Sequence, residues 1–266
     1  MMNRQATGGG RRRAAPLDRL VSALDRELRI ASFTDDSNNG LQVANSGRVT
    51  RVCLGVDATL PFFEEAVARG ANLAVCHHGM SWGDSLKRIS GLNHRLLSFL
   101  LKHDLAVWAC HLPLDAHPRL GNNTRLAQAL GLKACKAAFV HHGQTIGVRG
   151  ALPRAVPFDA FRKQVQRAVG GGEVRALAFG RDPVRTVGIV SGGGASHISE
   201  AVSMGLDVYV TGEPTLHAYN VAVQEKIHAV FAGHYATERF GVQAVGAWIH
   251  RRYGLPVSFA EMGIPY

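Results

Sequence analysis

No stretch of this chain approaches the ~18–20 consecutive apolar residues of a membrane-spanning helix, so nothing in it reads as a membrane anchor. It also lacks paired cysteines. The four present, Cys53, Cys76, Cys110 and Cys135, stand far apart without a CxxC pair, which argues against a cysteine-based zinc site. Cys53, Cys76 and Cys110 fall in or at the ends of apolar runs, where cysteine acts as a small hydrophobe, and this usage points to a reducing compartment. A secretory leader is missing too: MMNRQATGGGRRRAA (1–15) has a leader's charge but not the apolar stretch that should follow. Residues 1–15 read as a disordered basic tail on a cytoplasmic protein. What the chain does have is 46% hydrophobic residues, enough for a sizeable core over 266 positions.

The formal net charge of +10 raises nucleic acid as a partner. Four basic residues, Arg4, Arg11, Arg12 and Arg13, belong to the tail, and the remainder, near +6, has its basic residues scattered. Without a second basic block or interleaved aromatics for base stacking, nucleic acid is a disfavoured partner. A solvated basic surface fits better. A phosphate-bearing small molecule fits as well as RNA or DNA does.

Leu17, Leu20, Val21, Leu24 and Leu28 follow helical spacing, so 16–31 is expected to be an amphipathic helix. The turn-rich DDSNNGLQV leads into a short extended piece. RVCLGVD (51–57), NLAVCHH (72–78) and LAVWAC (105–110) read as strands, with helices near 60–69 and 92–103 between them. TVGIVSG (186–192), DVYVTGE (207–213) and IHAVFAG (227–233) repeat the scheme, with helices at ASHISEAVSMG, 215–225 and 237–252 and a last strand in PVSFAEM. Residues 144–180 supply a strand, a helix and one more strand. Such alternation predicts an α/β sandwich with largely parallel strands.

The halves also share letters. EAVARGANLAV (65–75) aligns with EAVSMGLDVYV (200–210), and AVWACHLPLD (106–115) with AVFAGHYATE (229–238). Two matches in the same order suggest an internal duplication. Three strand ends then carry possible ligands: His77-His78, His111 with Asp115, and His234 with Glu238. Strand C-termini are where α/β proteins place ligands, and an imidazole–carboxylate set without thiolate suits Zn, Mn, Fe, Co or Ni in an exchangeable site. Adjacent histidines in a strand point to opposite faces, so serving one site needs a bend, which Gly79 permits, or one ion for each histidine. A binuclear centre bridged by a carboxylate fits. In SGGGAS (191–196), Gly192, Gly193 and Gly194 form either a phosphate cradle or a tight packing turn. Glu213 and His217, four residues apart in TGEPTLH, read either as supporting or proton-transfer groups near the site or as a surface turn. A second HHG, His141-His142-Gly143, has no carboxylate placed to join it and reads as surface or hinge.

NNGLQV, LAVCHHGMSWGD, HLPLDAHPRLGNN, SGGG, DVYVTGE and AGHYATERFGV occur in this order. Together they resemble the Nif3-like family of dinuclear-metal, hexameric proteins, the GTP cyclohydrolase I type II homologues, in its compact bacterial branch. The resemblance runs from about 17 to 266. It implies a three-layer α/β/α sandwich of two similar, intertwined halves in a single domain over 16–266: a first half to about 135, a connecting segment 136–182, and a second half from 183. It implies a ring-shaped homohexamer and two divalent ions per chain. The family's ligand pattern falls on His77, His78, Asp115, His234 and Glu238, with Glu238 bridging, and places His111 beside the ions rather than on them. The activity implied is metal-dependent hydrolysis of a nucleotide-like or pterin-like small molecule, including ring opening of GTP, with Glu213 or His111 moving the proton. The rival expectation is a metal-binding, metal-delivery or adaptor protein without turnover.

Overall fold

The structure, a computed structural model, describes residues 14–265. Residues 1–13, most of the expected tail, lie outside the described residues. Ala15 is already part of the fold: it is buried and pairs with Val49, so the boundary drawn after residue 15 falls one residue late.

In chain order the first elements are β1 (Ala15–Pro16), α1 (Leu17–Leu28), β2 (Gly40–Val43), β3 (Arg48–Val49), β4 (Val52–Asp57), α2 (Leu60–Ala68), β5 (Leu73–His78), α3 (Gly91–Lys102) and β6 (Ala106–Ala109). Next come α4 (Leu112–Ala116), α5 (Asn122–Ala129), β7 (Lys133–His141), β8 (Gln144–Val156), α6 (Phe158–Ala168) and β9 (Arg175–Ala178). The last are β10 (Val184–Ile189), α7 (Ile198–Ser203), β11 (Val208–Thr211), α8 (Leu216–Glu225), β12 (His228–Phe231), α9 (His234–Tyr253) and β13 (Val257–Phe259). Among the described residues no helix is long and apolar enough to cross a membrane.

The strands form two main sheets with helices on both faces of each. The first has the order β13-β4-β5-β6-β2, the second β7-β8-β10-β11-β12-β9. Both are built around three parallel strands in sequence order, with an antiparallel strand beyond the third: β2 beside β6 in one, β9 beside β12 in the other. That shared arrangement agrees with the letters repeated in the sequence. The edges differ. β13 adds in parallel to β4, whereas the β7–β8 hairpin adds antiparallel to β10.

Side chains of the central strands alternate between two cores, as the two-residue period requires. Leu73 and Val75 of β5 face α1 and α9, while Ala74 and Cys76 face α2 and α3. In the second sheet, Val208 and Val210 face α5 and α6, and Tyr209 faces α7 and α8. The halves are interlocked by an exchange of helices. Val242, Val245 and Ile249 of α9, from the end of the chain, pack on the first sheet. Leu126 and Ala127 of α5, from the first half, pack on the second. The two exchanged helices meet where a Cβ on Gly241 would lie 2.6 Å from Asn122 Oδ1, so glycine permits the approach. α9 has apolar residues around most of its circumference because it is covered on several sides.

Candidate metal centre

Parallel pairing of Cys76 with Ala109 and of Asp57 with His78 brings the carboxyl ends of β4, β5 and β6 side by side. β5 remains regular through His78, so no bend precedes the pair. His77 continues the face toward α9 and is fully buried, and His78 stands at the strand's last position. The rings nevertheless lie 4.7 Å apart, because both reach past the strand end toward one carboxylate. His111 follows β6 and opens α4, which carries Asp115 one turn on. From the other sheet, β12 ends at Phe231, and Gly233, at φ +91°, turns the chain into α9. His234 and Glu238, four residues apart on that helix, share one face. α9 thus starts at the second sheet and delivers both side chains to the first.

Glu238 is the centre of the arrangement. Its Oε1 lies 3.5 Å from His77 Nε2, and its Oε2 lies 3.2 Å from both His78 Nε2 and His234 Nε2. Asp115 Oδ2 lies 3.5 Å from His77 Nε2, while its Oδ1 accepts from Asn122 Nδ2 at 2.8 Å and Ser191 Oγ at 3.1 Å. Donor atoms fall into three sets, each within 4.8 Å: His77, Asp115 and Glu238; His78, His234 and Glu238; and His77, His78 and His111. The first two sets share Glu238, one oxygen toward each. Every residue expected from the family's ligand pattern is present in them.

The donor chemistry fits a cation. His77 Nε2 and Glu238 Oε2 are buried without a hydrogen-bond partner, a state that fully buried polar atoms rarely tolerate. Each histidine's other nitrogen is held: His77 Nδ1 by Cys110 O at 2.9 Å, His78 Nδ1 by Asp57 at 2.8 Å, and His234 Nδ1 by Glu213 at 2.7 Å. Such outer partners fix the ring and turn Nε2 inward, as in metal-ligating histidines. Charge tells the same story. Burial opposes a proton on His77, but the Asp115 and Glu238 carboxylates override it and raise its pKa to about 10. Burial likewise opposes a proton on His234, and Glu238 and Glu213 raise it to about 9. Burial would raise the Glu238 pKa, but His77 and His78 hold it well below the usual carboxylate range.

Other expected residues find different places. Glu213 lies against His234, its Oε1 2.7 Å from the ring Nδ1. His111 has its Nδ1 on Asp35 Oδ1 at 2.8 Å, and its ring lies 5.2 Å from His77 and 5.6 Å from His78, close enough to join a donor set. His217 is exposed on the first turn of α8 and joins none of these sets. Gly192 is constrained by packing: it sits at φ +61°, its N–H donates to Thr237 Oγ1, and a Cβ there would lie 2.0 Å from Glu238 Oε1. Its amide is therefore engaged and does not face an anion. Gly193 and Gly194 line a cavity of about 450 Å³ in front of His78, His111, His234 and Glu238.

That cavity changes the reading of the second HHG. His142 and Gly143, both at positive φ, form the two-residue turn of the β7–β8 hairpin, and His142 is exposed. His141, however, lines the cavity together with His197. Neither is marked as a site residue by the sequence. His141 has no repeat counterpart, and His197 is hidden in the helix-like ASHISEA. Nor does the sequence mark Asp35 and Asp57, which hold His111 and His78, although Asp35 opens the turn-rich DDSNNGLQV.

Comparison with known proteins identifies the family. The model for Duf34/NIF3 (NGG1p interacting factor 3) matches residues 15–263. This chain belongs to the NIF3 family. It is 38% identical over 243 residues to the "GTP cyclohydrolase 1 type 2 homolog" of Deinococcus radiodurans, covering 91% of each chain. The homologue of that name in Archaeoglobus fulgidus is 36% identical, over 92% of this chain and 98% of its own. Among solved structures, "protein ybgI, unknown function" superposes with a TM-score of 0.89 at 31% identity, over 95% of this chain and 100% of its own. TTHA1606 from Thermus thermophilus gives 0.86 at 33%, over 94% and 100%. The NIF3-family fold therefore spans nearly all described residues of this chain.

Proposed function

We propose that this NIF3-family chain holds two divalent ions and hydrolyses a nucleotide-like or pterin-like small molecule. Supporting this most directly is Glu238, with one oxygen toward His77 and the other toward His78 and His234, and with His77 Nε2 and its own Oε2 buried and unpartnered. One ion is assigned to His77, Asp115 and Glu238, the other to His78, His234 and Glu238. Two such ions supply Lewis acidity and lower the pKa of water beside them. The chain's own residues do the rest. Asn122 and Ser191 fix Asp115, Glu213 and Asp57 aim His234 and His78, and Asp35 holds His111 at the cavity floor, where it can pass a proton. The cavity volume suits a heterocycle with a short substituent, in line with the name borne by the curated relatives. The ring-shaped homohexamer and the cytoplasmic setting belong to the same reading.

Metal analysis of the purified protein and incubation of the loaded form with GTP and related nucleotides test this. We expect about two ions per chain, product formation, and loss of both in Glu238→Gln; Asp115→Asn should lose one ion and at least about 100-fold in rate. Absence of turnover, or turnover that survives both substitutions, would sink the hydrolase reading. A second reading, metal delivery without turnover, draws on the absence of thiolate from the donor sets, since imidazole–carboxylate sites exchange their ions readily. It predicts ion transfer to an apo-acceptor and no small-molecule product.

A further inference from the structure

The cavity in front of the metal-ligand candidates has a second titratable wall. Besides the residues of the donor sets, its lining includes just two ionisable side chains among the described residues, His141 and His197. They come from elements unrelated to the donor sets: the β7–β8 hairpin and the turn that opens α7. Their rings meet edge to face at 5.8 Å. Hydrolysis of a carbon–nitrogen bond needs a proton delivered to the leaving nitrogen. Beyond the donor sets, this pair supplies the cavity's remaining proton-handling side chains.

The two histidines differ in how they are held. His197 is buried, and its Nδ1 lies 2.6 Å from Glu200 Oε1, three residues on in α7. Glu200 is itself fixed, since its Oε2 accepts the Val140 N–H at 3.0 Å. One carboxylate thus ties α7 to the hairpin and orients the imidazole, leaving Nε2 as the ring's unengaged nitrogen. A carboxylate behind an imidazole sets its tautomer and orients the ring, as in the serine-hydrolase triad. No such anchor holds His141. Burial, and then the charges of His142, His197 and His111, lower its pKa, so at neutral pH it is a poor proton donor.

We propose that His197, oriented by Glu200, is the group that protonates the leaving nitrogen of the substrate; this rests on the hydrolase reading above. In that step water gives a proton to His111, its oxygen bonds to the carbon under attack, and the carbon–nitrogen bond breaks. The nitrogen takes the electron pair and receives the proton from His197 Nε2. Solvent at the cavity mouth then reprotonates the imidazole. The titratable groups facing His197 are Glu200 from α7 and His141 from the hairpin.

The test uses the metal-loaded full chain with GTP as probe. His197→Gln should lower kcat about 100-fold while KM and the two-ion content stay unchanged. The alkaline limb of the kcat profile should disappear, and imidazole should restore part of the rate of His197→Ala. Glu200→Gln, which keeps the ring but not its anchor, should give an intermediate loss and a shifted limb. A readout independent of turnover is carbethoxylation by diethyl pyrocarbonate followed by peptide mapping. His197 should react in the loaded protein and be shielded by GTP. Wild-type turnover that persists in His197→Gln and Glu200→Gln, or a His197 that GTP does not shield, overturns the dyad and leaves the hydrolase reading standing. A wild type without turnover removes both.

Discussion

Glu238 has three imidazole Nε2 atoms around it and no neutral donor, so the metal-free site carries protons where ions would sit. The signs follow from the shifts. His77 and His234 have pKa values raised to about 10 and about 9, above the ordinary 6.5. Their charged forms therefore contribute stability to the metal-free chain that is complete below about pH 6.5 and is lost as pH rises through 9 and then 10. We expect the melting temperature of chelator-treated protein to fall across that alkaline range, while the metal-loaded protein holds its own. Loading must also expel these protons, so metal affinity should rise with pH. Calorimetry in buffers of different ionisation enthalpy should register proton release at neutral pH, and a heat independent of buffer would contradict it. At this scale the sequence was informative where a strand end and a helix start each put a donor at a set spacing, as with His77-His78 and His234 with Glu238. It was silent about His197, whose partner Glu200 is evident only once α7 is folded.

The elements explain which parts were legible. β4, β5 and β6 are buried apolar runs, and their sequences say so. β7 is exposed over Lys133–Ala137 and carries no alternating pattern, so the hairpin that brings His141 to the cavity was not foreseen. α4 is short and lies in HLPLDAHPRLGNN, and α5 begins at that motif's last two residues, where prolines and a glycine read as loop. The glycine turn between β10 and α7 gives a test at this scale. Gly192→Ala places a methyl against Glu238 at a left-handed φ, and should destabilise the fold by about 1–3 kcal/mol and abolish metal binding. Gly193→Ala, whose added Cβ would find its nearest neighbour at 3.9 Å, should bind metal normally. Urea unfolding and metal analysis of the two variants check this, and equal metal loss in both would show that the turn acts in some other way.

Across the whole molecule, the exchange of α5 and α9 is expected to couple the two cores into one cooperative unit. Trp108 is buried in the first core and Trp248 packs against it, so tryptophan fluorescence reports mainly that half. Leu126 is fully buried in the second core. Leu126→Ala should destabilise by about 2–5 kcal/mol and move the fluorescence transition by as much as the far-UV circular dichroism transition. An unmoved fluorescence transition would mean the halves unfold separately. Sequence repeats anticipated two similar units, and the parallel strand order agrees; which unit each helix covers was not legible, because an apolar helix face does not name its sheet.

That interlock also bears on how the protein is made. The ribosome releases β6 about 125 residues before α9 begins. At about 5–20 residues per second, the α9-facing side of the first sheet waits roughly ten seconds for its cover. The same late helix brings Glu238. A nascent chain therefore acquires its hydrophobic closure and the last residues of its candidate metal centre in one event near the end of synthesis, and a chain cut short before residue 234 would expose an apolar sheet face and lack His234 and Glu238 at once.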